Sequence, residues 1–186
     1  MLIGKDDPRI IDFLEYMRAV DKNRSHDKSW YSDPTIDRYV VWSIIALEGR
    51  TVACSAVQQY THANVARILT RFAIDPKYRT TGLQQPTIDG KTFAFHMVEE
   101  QLEFCKTAGF DHAFFSTEHN RKGVVERHSR IAKSLGLNCK VLPDKYNTCV
   151  LINNNEINTE DICWQNIGLY PLSRKEFPLA KLLSTS

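Results

Sequence analysis

The sequence predicts an α/β protein of the α+β type: a mixed, mostly antiparallel central sheet flanked by helices, with a C-terminal extension. Two observations predict it. Apolar periodicity changes along the chain in the order helix, three strands, helix, strand, helix, two strands. A strand–helix–strand unit sits among segments joined by short turns, which calls for a parallel pairing inside an otherwise antiparallel set. At 186 residues, 42% of them hydrophobic and 25% charged, the chain suits one folded domain with a sizeable core and some length to spare.

The first helix spans 7–21. Asp7 can cap it, Pro8 suits its first position, and Ile10, Leu14, Met17 and Val20 form one stripe. Residues 22–37 are polar and turn-rich. Trp30 and Tyr31 within them read as plugs for the core or as part of a binding wall. Residues 38–47, rich in Tyr, Val, Trp and Ile, begin an antiparallel meander; Glu48-Gly49-Arg50 turns the chain into 51–60, and 61–64 turns it again into 65–74. Residues 91–107 have helical spacing. Ala94, Met97, Val98, Leu102 and Cys105 share one side, Glu99, Glu100 and Glu103 face water, and Gly109 ends the helix.

A short buried strand follows at 110–117, then a second such helix at 120–135 that stops at Gly136. Strands at 138–142 and 148–152 close the domain through a turn at 143–147. The domain thus spans 1–152. Residues 153–186 begin polar and end with spaced apolar residues, an extension expected to pack on the domain or on a partner subunit in a homodimer.

Composition excludes several classes. No apolar run approaches the roughly 20 residues of a membrane span, and the first residues lack a signal-peptide stretch, so a cytoplasmic protein is expected. A net charge of +2 gives no electrostatic case for a dedicated nucleic-acid binder. Cys54, Cys105, Cys139, Cys149 and Cys163 are odd in number and widely spaced. They suit small buried residues in a reducing compartment better than a disulfide framework or a metal site. Gly90-Lys91-Thr92 looks like the end of a nucleotide-binding P-loop, but that pattern needs glycine where Gln85 stands.

The most informative stretch is Ala73-Ile74-Asp75-Pro76-Lys77-Tyr78-Arg79-Thr80-Thr81-Gly82. It closely resembles the fourth-strand ending and phosphate-binding pattern (R/Q-x-x-G-x-G/A) of the GNAT superfamily of N-acyltransferases, whose element order the chain also resembles over 1–152. Arg79 and Gly82 match the first two fixed positions; Gln84 stands at the third. Physically, a pyrophosphate needs inward backbone N–H donors, close backbone approach and a positive helix end. Thr80, Thr81 and Gly82 are the candidate donors, Leu83 is a further candidate cofactor contact, and Arg79 adds charge. Residues 83–90 depart from the family as an insertion before the helix.

The resemblance implies acetyl-CoA, or another acyl-CoA, as donor and an amine of a small molecule or peptide as acceptor. It places the thioester beside the strand end at Ala73 and Ile74, with a backbone N–H near Ile74 for the oxyanion. It makes Glu118 and His119 the candidates for the base, and Asn120 a cofactor contact. The family's acid is a tyrosine four residues before the helix-ending glycine, and here that position is Ala132. His128 shares the helix face of Val124, Ile131 and Leu135, so it is either a substitute acid–base group or a core histidine. Tyr146 and Tyr31 are candidates for the acceptor side. Arg121, Lys122, Arg127, Arg130 and Lys133 make the second such helix basic, as a solvated face or an attractor of the ribose phosphate or of an acidic acceptor. The alternative class is a GNAT-like module that binds a coenzyme A-type ligand or a protein partner without turnover.

Overall fold

The computed structural model describes residues 1–21, 39–60, 65–79, 87–115, 122–137, 139–142 and 147–151. The proposed extension at 153–186 lies outside them, as does 22–38 with Trp30 and Tyr31. The elements are β1 (Leu2–Ile3), α1 (Pro8–Val20), β2 (Tyr39–Leu47), β3 (Arg50–Tyr60), β4 (Val65–Ile74), β5 (Thr87–Ile88), β6 (Lys91–Thr92), α2 (Phe93–Thr107), β7 (His112–Phe115), α3 (Lys122–Ser134), β8 (Cys139–Leu142) and β9 (Asn147–Leu151). No described helix is long and apolar enough to cross a membrane.

Seven strands form one sheet in the order β1-β2-β3-β4-β7-β9-β8. Every pairing is antiparallel except β4 with β7, the two strands that flank α2. The mixed sheet follows from that single long crossover, since parallel neighbours cannot be joined by a tight turn.

Buried side chains divide between the two faces of the sheet. Trp42, Ile44, Cys54, Ala56 and Ala73 pack with Ile10, Phe13, Leu14 and Met17 of α1. Val41, Val57, Ala66 and Ile68 pack on the opposite face with Val98, Leu102 and Cys105 of α2 and with Ile131 and Ala132 of α3. The period of two in the strands meets the period near 3.6 in the helices, which fixes the register of each layer.

Local signals explain the element ends. Asp7 caps α1 by accepting from the Arg9 N–H at 2.9 Å, with Pro8 in the first turn. Glu48 and Gly49 join β2 to β3 with positive φ at both residues, the twist that a two-residue hairpin requires. Gly109 and Gly136 take positive φ just past α2 and α3. Two short elements differ from the sequence expectation. β1 adds an edge strand before α1, and the segment expected to begin a helix at residue 91 instead closes a small β5–β6 hairpin through Asp89 and Gly90. The helix starts two residues later, with the Thr92 hydroxyl accepting from the Phe95 N–H at 3.2 Å.

Candidate acyl-CoA site

β4 and β7 are paired only at Val65–His112, Ala66–Ala113 and Arg67–Phe114. β7 then ends at Phe115, whereas β4 runs on to Ile74. From Ile68 onward that side of β4 has no strand partner among the described residues, and a notch opens in the sheet. The Asp75 N–H bonds to the Val52 carbonyl of β3 at 2.8 Å. Successive residues of a strand face opposite neighbours, so the Ile74 N–H and carbonyl point the other way, into the notch. Ala73 and Ile74 are both buried there, Ala73 against α1 and Ile74 against Phe93 and Met97 of α2.

The strand reaches this position through two irregularities. Between Cys54–Ala73 and Ala56–Thr70, and again between Ala56–Thr70 and Gln58–Arg67, β4 carries one residue more than β3. Leu69 and Arg71 take φ of 54° and 52°, a region that ordinary side chains enter at a cost.

The motif that follows the strand is held from two directions. Asp75 is buried; its carboxylate accepts from the Lys77 N–H at 2.9 Å and the Tyr16 hydroxyl at 3.2 Å, so it caps the single 3-10 turn Pro76–Tyr78 and ties it to α1. Arg79 donates from Nε to the Ile74 carbonyl at 2.7 Å. Its two terminal nitrogens reach the Asp21 carboxylate at 3.0 and 2.7 Å, a bidentate fork at the end of α1. Asp21 is buried and Arg79 partly exposed. The fork makes Arg79, the residue expected to add charge for phosphate, a strut between α1 and the end of β4.

β4 and β7 run parallel, so their C-terminal ends point the same way, and the β8–β9 turn is flanked by Leu142 and Asn147, next to the Phe115–Thr148 pairing at the end of β7. Thr80, Thr81, Gly82, Leu83, Glu118, Asn120 and Tyr146 themselves lie outside the described residues. Of His128, only the backbone position on α3 is described. Ala132, where the resemblance would place an acid, is fully buried in the core with Ile131 and Phe115. No group of three or more metal-ligating side chains occurs among the described residues.

One residue that sequence reasoning missed stands beside the notch. Gln101 is fully buried on the apolar face of α2. Its spacing from Ala94, Met97, Val98 and Cys105 is the signal that could have found it: a polar residue on an otherwise apolar stripe.

The fold is similar to that of solved acetyltransferases. A GNAT-family acetyltransferase from Brucella melitensis, solved with acetyl-CoA, superposes with a TM-score of 0.52 at 8% identity, over 84% of this chain and 90% of that one. The chain has the GNAT fold. A GNAT-family acetyltransferase from Staphylococcus aureus Mu50 gives 0.51 at 12% identity, over 82% of this chain and 98% of that one. The PaiA N-acetyltransferase from Thermoplasma acidophilum, solved with coenzyme A, gives 0.50 at 11% identity, over 81% and 97%. No protein-family model and no curated protein sequence matches the chain.

Proposed function

We propose that the protein is an acyl-CoA-dependent N-acyltransferase that moves an acetyl group from acetyl-CoA to an amine of a small molecule or peptide. The observation that carries this reading is the notch beside β4, with the Ile74 N–H directed into it. Acetyl-CoA would supply an activated thioester there. The chain's part is to hold it and to manage protons.

The Ile74 N–H is a fixed donor for the thioester carbonyl oxygen, worth most where water is excluded. Thr80, Thr81, Gly82 and Leu83 would offer backbone donors to the pyrophosphate, and Asn120 a further contact. Glu118 would take a proton from the acceptor ammonium, His128 would return one to the departing thiolate, and Tyr146 would line the acceptor side. Arg79, forked onto Asp21, holds the start of that loop against α1 and contributes little net charge. The free thiols of Cys54, Cys105 and Cys139 suit a reducing, cytoplasmic setting.

A second reading is favoured by one observation. Ala132 is sealed in the core where a catalytic tyrosine would stand, which suits a module that binds a coenzyme A-type ligand or a partner protein without turnover. Calorimetry with acetyl-CoA tests what both ligand-binding readings share: a dissociation constant in the micromolar range, about −8 kcal/mol, is expected. No detectable binding would overturn the acyltransferase and the coenzyme-binding module together. Release of free thiol with a panel of amines then separates them, and thiol release that stays at the hydrolytic background would leave only the binding module.

A further inference from the structure

We propose that Gln101 is a positioning residue that holds the acyl-donor edge of β4 open; the inference rests on the acyltransferase reading above. Gln101 makes three hydrogen bonds from the middle of a helix. Its Oε1 accepts from the Leu69 N–H at 2.7 Å. Its Nε2 donates to the Ser55 carbonyl at 3.2 Å and to the Ser55 hydroxyl at 2.9 Å. Leu69 belongs to β4 and Ser55 to β3, so one side chain stitches the two strands together across the stretch where their ladder is irregular.

The position of that stitch gives it a role beyond packing. Leu69 has positive φ, and its N–H has left the strand ladder. A buried N–H without a partner is costly, and strained backbone persists only where its surroundings over-determine it. Gln101 supplies the determination. With Leu69 pinned from α2 and Ser55 pinned beside it, the following residues have one route to Ile74. The neutral amide is the one chemistry that serves both contacts: a carboxylate could accept from Leu69 but could not donate to the Ser55 carbonyl, and a thioether could do neither.

The test uses the full chain and three variants: Gln101→Met, Gln101→Glu, and Leu102→Ala as a buried apolar control on the same helix. Amide hydrogen exchange should show Leu69 protected in the wild type and at least about 100-fold faster in Gln101→Met, with the Ala66 amide changed far less. Coenzyme A affinity should fall at least about tenfold in Gln101→Met, and less in Gln101→Glu, which keeps the acceptor. It should fall less than about twofold in Leu102→Ala at comparable loss of thermal stability. Unchanged exchange at Leu69 would show that Gln101 is no anchor. Equal loss of affinity in Gln101→Met and Leu102→Ala would reduce its part to general stability. If the wild type binds no coenzyme A, the acyl-donor role falls with the function itself, while the exchange result still reports on the anchor.

Discussion

Asp21 and Arg79 form a pair in which one member is buried and the other reaches solvent. Removing Arg79 takes a bidentate partner from a buried carboxylate, and breaking a buried ion pair is among the more destabilising single changes. Arg79→Ala should therefore cost about 3 kcal/mol in urea unfolding, Asp21→Asn less, and the double variant less than their sum. Strict additivity would mean that the two groups do not interact in solution. Coenzyme A affinity should fall in both single variants, Asp21→Asn included, because the pair ties the end of β4 to α1. At the hairpin joining β2 and β3, Glu48 occupies positive φ, where asparagine is far better suited. Glu48→Asn should stabilise the protein by about 0.5 kcal/mol, measured as a raised denaturation midpoint. His112 contributes a pH dependence. Its buried Nδ1 has no hydrogen-bond partner among the described residues, and burial lowers its pKa below the ordinary 6.5, with Asp111 pulling weakly the other way. The unfolded chain then binds the proton more readily, so stability declines as pH falls below that value. Urea melts between about pH 7.5 and about pH 5.5 should show this slope in the wild type and a flatter one in His112→Leu; identical slopes would assign the acid sensitivity elsewhere.

At the level of elements, sequence patterning found what depends on local chemistry and missed what depends on distant partners. The span of β4 was legible in full, because turn residues precede Val65 and Asp75-Pro76 follows Ile74. α1 was legible through Asp7 and Pro8. The start of α2 was read two residues early, since Asp89-Gly90 is a hairpin signal only once the two residues on either side are seen to pair. The irregularities in β4 left no trace: Leu69 and Arg71 are ordinary strand residues with no preference for positive φ, and tertiary contacts put them there. The fork from Arg79 was likewise invisible, because Asp21 lies 58 residues away along the chain. Gln101 carried a readable signal, a polar residue on an apolar stripe, but its meaning required Ser55 and Leu69 to be adjacent in space.

Across the whole molecule, the order of elements was enough to foresee a mixed sheet with helices on both faces, and the sheet order β1-β2-β3-β4-β7-β9-β8 completes it. The end of β4 at Ile74 was legible as an element boundary, whereas the notch beside it and the partners of Arg79 had to be seen. A ligand that joins β4 to its surroundings should stabilise the entire fold. Coenzyme A at about 100 times its dissociation constant should add about 2.7 kcal/mol, readable as a rise of several degrees in thermal midpoint. A midpoint that ignores the ligand would remove it from the folded state. The notch has one more consequence, for the empty protein. A length of strand without a neighbour is a template for stray strands, whether from another copy or from an unfolded chain. The extra residues in β4 bend and twist this edge away from the flat course that a foreign strand must follow. The same distortion that shapes the end of β4 thus makes its edge a poor template for a foreign strand.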